Sequence, residues 1–246
     1  MSKSKISLIA VHAFASILLA AAAPAALAQS DQTGKGPATP GTARAKPTPQ
    51  SLVDAADRTF GNFMRDPQMT WLHDNIRHAK GILIAPEVAK AGFIFGGSGG
   101  RAVLLVRNAK GKWTGPAFYT LATASVGFQA GVSVSEMMTL VMTDKGLNSL
   151  LSNSFKMGPD ASVAAGPVGA GAKADIITDL VTYSRSKGIY GGINLDGTVV
   201  ATSDEWNEAY YGKKGIHAPD ILIRGTVHVK GADRLSADVA RAVGKK

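Results

Sequence analysis

The stretch Phe93–Arg107, FIFGGSGGRAVLLVR, places four glycines and a serine between two apolar runs. Three chemistries compete for it. Gly96-Gly97-Ser98-Gly99-Gly100 fits the Gly-x-Ser-x-Gly nucleophile elbow of a serine hydrolase, with Ser98 as nucleophile. A glycine loop of this kind is also used to cradle phosphate. Within a sheet, the same glycines supply bulges and close backbone approach.

The residues C-terminal to the glycines separate these possibilities. An elbow needs a strand, a sharp turn and then a helix. Ala102–Arg107 is short, branched and apolar, and a turn comes directly after it, so it reads as a strand. Acid and base partners for Ser98 exist downstream in Asp175 or Asp179 and His217 or His228, as chance supplies in a chain of this size. A Ser98 hydrolase therefore stands as the alternative. A Walker loop requires Gly-Lys-Ser/Thr, and Gly100-Arg101-Ala102 stands here instead. A dinucleotide fingerprint again needs a helix after the glycines, so no cofactor is expected. His73 and His78 are five apart, a poor spacing for one helical face, and the chain has no cysteine, so no metal site is expected either.

Outward from this stretch the pattern is of short apolar or alternating runs: ILIA, GFIFG, AVLLVR, AFYTLA, GFQAGVSVS and MMTLVMT, parted by Gly, Pro, Asn and Lys turns. Asn108–Lys112 centres a hairpin. SVAAGPVG and AKADIITDLVTYSRS continue the strand pattern, and Asp196-Gly197 is a favoured hairpin turn inside GIYGGINLDGTVVAT. DILIRGTV, at 220–227, adds a further strand. Helical spacing appears over Ser51–Arg65, with Val53, Ala56, Phe60, Phe63 and Met64 on one face. A second helix is expected from Asp66-Pro67 to Gly81, and shorter ones over Asp144–Ser152, from Ser203-Asp204 to Tyr211, and over Gly231–Val243. The fold class expected is α+β: N-terminal helices, then a Gly-rich antiparallel sheet or barrel with short inserted helices. Regular β-α-β alternation is absent, which excludes a doubly wound sheet.

The N-terminus carries Lys3 and Lys5, an apolar run from Ile6 to Ala23, and small residues at Ala26 and Ala28. That is the pattern of a secretory signal peptide over 1–28, cleaved after Ala28. Residues 29–50 hold almost no large apolar side chain and read as a disordered leader. Residues 51–246 suffice for one domain with a real core. The net charge is +9, and loss of Lys3 and Lys5 leaves +7. A basic exported domain is drawn to anionic surfaces such as phospholipid head groups, while export argues against nucleic acid as a partner.

Arg58, Arg65, Arg77, Lys80, Lys90, Arg101 and Arg107 crowd the N-terminal half, with Phe60, Phe63, Trp71 and Phe93 among them. Basic side chains beside exposed apolar ones make an interfacial binding surface. The same spacing equally describes a core face backed by a solvated charged face. The first six cations are the candidate lipid head-group contacts, on charge alone.

An ordered set of motifs suggests a relationship. AKGILIAPEVAKAGFIFGGSGGRAVLLVR, then GKWTGPAFYTLATASVGFQAGVSVSEMMTLVMT, GPVGAGAKAD, VTYSRSKGIYGGINLDGTVV and NEAYYG resemble the SYLF domain family, over roughly Ser51–Gly212. The resemblance implies a lipid-binding domain without catalysis, in which Ser98 is a structural hallmark. Eukaryotic members bind phosphoinositides and some act with actin; bacterial members resemble exported proteins. The expectation carried forward is a phospholipid-binding protein of the cell envelope, periplasmic or secreted and peripherally membrane-associated. Its partner would be an anionic phospholipid or membrane surface. A protein-interaction module of the envelope is the further alternative.

Overall fold

The computed structural model describes residues 46–92, 95–126, 131–186, 189–190, 195 and 197–244. The expected signal peptide, leader residues 29–45, Phe93 and Asp196 lie outside the described residues.

Helix α1 (Pro49–Arg65) starts two residues before the expected Ser51. The cause is local. Thr48 Oγ1 accepts from the Ser51 N–H at 3.2 Å, Ser51 Oγ accepts from the Thr48 N–H at 2.9 Å, and Pro49 fills the first turn. Val53, Ala56, Phe60 and Phe63 are buried, as their spacing predicts. The second helix is shorter than expected. Residues 66–69 form a turn, with the Gln68 N–H on Asp66 Oδ1 at 2.9 Å, and α2 covers only Thr70–Asn75 before a 3₁₀ turn at Ile76–His78.

Four long strands come next: β1 (Gly81–Gly92), β2 (Phe95–Arg107), β3 (Trp113–Val126) and β4 (Gly131–Val141). The expected breaks inside β1 and β2 do not occur. Instead β1 bulges against both neighbours near Pro86, where a residue without an N–H is tolerated. Gly100 makes the bulge possible, because a Cβ there would lie 2.4 Å from the Glu87 carbonyl oxygen. Helix α3 (Asp144–Leu151) is capped by Thr143. Short strands β5 (Ser154–Lys156), β6 (Val163–Ala165), β7 (Leu180–Ser186), β8 (Ile189–Tyr190) and β9 (Val199–Thr202) complete the sheet. Its order is β5-β9-β3-β2-β1-β4-β7-β6, with β8 beside β7. Of these strand pairs, β6–β7 is parallel and the rest are antiparallel. The fold is α+β, with an open sheet, since β5 and β6 end the order without pairing to each other.

Two strand expectations fail. Residues 166–179 are not strand but a strap over α2, held by Trp71 Nε1 donating to Ala174 O at 2.8 Å and by the Gly169 N–H on Gln68 O at 2.9 Å. The hairpin turn expected at Asp196-Gly197 falls mostly on 191–194 and 196, which lie outside the described residues; among the described residues β8 pairs with β7, and β9 with β3 and β5. DILIRGTV forms a π-helical turn at Asp220–Arg224, closed by Gly225 at φ +59. Helices α4 (Asp204–Tyr211) and α5 (Asp233–Gly244) lie close to expectation.

The sheet is buried on both faces through its middle, which is why ILIA and AVLLV read as continuous apolar runs. Ile82, Ile84, Val103, Leu105 and Phe118 face α1, α2 and α5. Leu83, Leu104, Tyr119 and Met137 face the opposite way, onto Leu150 and Leu222. Phe60, Phe63 and Trp71 belong to the first of these cores, so none is available as an exposed interfacial aromatic.

Candidate functional site

Beyond the core, β1–β4 run on toward the end of the sheet at Gly92, Phe95, Val126 and Gly131. Register sets what each face carries there. On the helix side one row reads Val134, Ala89, Gly99, Ala122 across the four strands, and the next reads Val132, Ala91, Gly97, Ala124. The four alanines are exposed, as are Val132 (81%) and Val134 (45%). On the reverse side the intervening row is Ser133, Lys90, Ser98, Thr123. The extension is therefore two-faced: an apolar platform of small residues, backed by a hydroxyl-rich face that carries Lys90.

A charged row borders the platform where the helices begin. Arg101 is the register partner of Glu87 and of Thr120, and Glu136 lies two residues beyond Val134 on β4. Arg101 lies over the Trp206 ring of α4, 4.3 Å from its centroid. Glu136 accepts from Thr59 Oγ1 and Asn62 Nδ2, both at 3.1 Å, and from the Arg185 guanidinium. These bonds set α1 against the edge of the platform. Arg58, Asn62 and Arg65 share one stripe of α1 by helical spacing. Arg58 and Arg65 are exposed, and Arg65 Nη2 donates to Asn62 Oδ1 at 3.1 Å. Arg65 and Arg101 thus border the apolar platform, and Arg58 continues the exposed stripe of α1 by helical spacing.

The remaining two candidates are elsewhere. Arg77 and Lys80 lie at the opposite end of the strands, where β1 begins and β2 ends. There they line an open groove with Arg107, and Lys80 pairs with Asp144 at 2.9 Å. The six residues chosen on charge alone are two groups, not one. Sequence reasoning missed the platform. Its signal was the A-x-A, G-x-G, A-x-A, V-x-V alternation, which becomes a surface only once the register is known.

The family described as "Ysc84: Las17-binding protein actin regulator" matches residues 122–242. LAS seventeen-binding protein 3 of Saccharomyces cerevisiae is 30% identical over 181 residues, covering 68% of this chain and 39% of its own length. The chain belongs to the SYLF (Ysc84) domain family. SH3 domain-containing YSC84-like protein 1 of Homo sapiens is 29% identical over 165 residues, 65% of this chain and 48% of the relative. The chain spans about two fifths of the yeast relative and about half of the human one.

Within this SYLF domain Ser98 occupies the middle of a continuous strand, opposite Lys90 on one side and Thr123 on the other. The strand–turn–helix geometry of a nucleophile elbow is not formed there. Three of the four expected acid and base partners, Asp179, His217 and His228, are engaged in other contacts. His217 Nδ1 lies 3.1 Å from Asp204, His228 Nε2 lies 3.1 Å from Asp233, and Asp179 accepts from Thr143 and Ser162. The curated relatives are named for binding and regulation, not for a reaction.

Proposed function

We propose that this SYLF domain binds anionic phospholipid surfaces peripherally and catalyses no reaction. The observation that carries the reading is the exposed Ala/Gly/Val platform with Arg65 and Arg101 along its border and Arg58 on the same stripe of α1 as Arg65. Such a surface meets a bilayer in two layers: cations at the phosphates, small apolar groups just below. Each basic residue near an anionic surface contributes about 1 kcal/mol, so Arg58, Arg65 and Arg101 together give about 3 kcal/mol before salt screening. Withdrawing the valine side chains from water adds about 1.5 kcal/mol or more each where burial is complete. The sum suits reversible association, not permanent insertion.

The setting we infer is the cell envelope after export, on the signal-peptide pattern at 1–28. A mature protein beginning at Gln29, read by intact mass, is the expected product; an unprocessed chain would remove the exported reading. A protein partner is the second reading, favoured by the family's description as Las17-binding.

Sedimentation with vesicles tests the proposal. Binding to anionic vesicles at low salt, weakened at high salt and absent for zwitterionic vesicles, is expected, since the screening length is only about 8 Å at physiological ionic strength. Arg58→Glu with Arg65→Glu should weaken it about tenfold or more. No binding to any vesicle, alongside stoichiometric capture of a protein, would replace the lipid reading by the second one.

A further inference from the structure

The groove at the other end of the strands takes no part in the platform. It is open, about 520 Å³ in volume, and bounded by Arg77, His78, Lys80, Arg107, Asn108 and Asp144. Four segments converge on it: the 3₁₀ turn after α2, the start of β1, the β2–β3 hairpin and the start of α3. Backbone pairing fixes their relation. The Lys80 N–H donates to Val141 O, and the Arg107 N–H to Lys80 O, both at 2.8 Å.

The side chains are also held. Arg107 Nη1 donates to the Arg77 carbonyl at 3.1 Å, spending one of a guanidinium's five N–H groups on orientation. Arg77 Nε donates to His78 Nε2 at 3.2 Å. Asn108 Oδ1 accepts the N–H groups of Lys110 and Lys112, both at 3.0 Å, which stiffens the hairpin and brings two more cations to this end. The only carboxylate bounding the groove among the described residues is Asp144, on Lys80. Three cations against one carboxylate leave an excess of two positive charges in a concave, donor-rich space. Two guanidinium groups suit the oxygens of a phosphate better than a point charge does.

We propose that this groove is a phosphate-binding site for a dianionic phosphate group, with Arg77 and Arg107 as its ligands and Lys80 turning from Asp144 to the anion. The groove exceeds the volume of a bare phosphate, so an organic substituent fits with it. The site is separate from the platform at the far end of the sheet. The phosphate can belong to a lipid head group or to a soluble phosphomonoester; the ligand chemistry is the same.

The test titrates the full chain with inorganic phosphate at constant ionic strength in chloride, read by calorimetry and ³¹P NMR. Saturable one-to-one binding is expected. Arg77→Gln and Arg107→Gln should each weaken it about tenfold or more. Arg107→Lys, which keeps the charge and loses the fork, should recover only part. Arg58→Gln and Arg65→Gln should leave it unchanged. Lys80→Gln guards against misfolding, because that side chain is 40% exposed and its ion pair is with the exposed Asp144; it should weaken binding with the thermal midpoint preserved. A second arm compares vesicles containing phosphatidic acid or phosphatidylserine at matched surface charge. A preference for phosphatidic acid that the groove variants abolish assigns the phosphate to a lipid. Equal vesicle binding together with phosphate binding assigns it to a soluble compound. No saturable phosphate binding, or binding that survives both Arg77→Gln and Arg107→Gln, overturns the site. Failure of all vesicle binding would sink the membrane reading and leave the phosphate titration standing.

Discussion

The Arg101 guanidinium lies 4.3 Å from the centroid of the Trp206 ring, joining the middle of β2 to helix α4. A residue that charge alone offers to a membrane is thus also an internal clamp. Trp206→Leu should cost about 0.5–1 kcal/mol through loss of the cation–π contact, with more from lost packing against Phe118, whose ring centroid is 6.0 Å away. Urea denaturation measures the cost, and Arg101→Gln in the Trp206→Leu background should add little further.

Glycine at position 100 is a steric requirement, whereas at 97 it is a tighter but negotiable fit. A Cβ on Gly100 would meet the Glu87 carbonyl oxygen at 2.4 Å, while one on Gly97 would stand 3.1 Å from Thr123 O. Gly100→Ala should therefore destabilise by about 2 kcal/mol or more, and Gly97→Ala by clearly less. Equal costs in chemical denaturation would contradict the bulge geometry.

Glu136 is the point where α1 is fastened to the sheet. Glu136→Leu leaves Arg185, which is largely buried beside Phe63, without its principal carboxylate; Asp66 is 4.0 Å away. The loss should be about 2–3 kcal/mol. Hydrogen exchange should show it as lost protection in α1, with the centre of β1–β3 little changed. Since α1 carries Arg58 and Arg65, vesicle binding should fall in the same variant.

Asp179 links the stability of the fold to acid pH. Thr143 Oγ1 donates to its Oδ1 at 2.5 Å, and the Ser162 N–H and Oγ both donate to its Oδ2 at 2.9 Å. Led by the Thr143 bond, these contacts hold its pKa at about 2, below the ordinary value of 3.8. A lowered folded-state pKa means stability that is present above 3.8 and lost as pH falls toward 2. Asp179→Asn should be less stable than the parent at pH 7, with the gap closing between about pH 4 and pH 2. Urea midpoints at the two ends of that window check the sign.

Much of this architecture was legible in the residues, and the exceptions have identifiable causes. Val53, Ala56, Phe60 and Phe63 repeat at helical spacing, and they form a buried face. Ile221, Leu222 and Ile223 suggested a strand, but Gly225 at φ +59 ends a π-helical turn there instead. Composition could not place the apolar platform, because Ala and Gly carry weak hydrophobic signal and the surface exists only through cross-strand register. Nor could it split the six cations. Arg107 joins Arg77 across 30 positions because β1 and β2 pair, while Lys90 is carried to the other end of β1.

Val132 and Ser133 are chain neighbours on opposite faces of the sheet extension, and they allow the membrane claim to be tested with charge change held constant. Sedimentation of Val132→Glu and Ser133→Glu with anionic vesicles, both against the parent chain, is the measurement to make. If the platform meets the bilayer, Val132→Glu weakens binding about tenfold or more and Ser133→Glu does so far less. Equal weakening by the two, or unchanged binding with Val132→Glu, would contradict a membrane-facing platform.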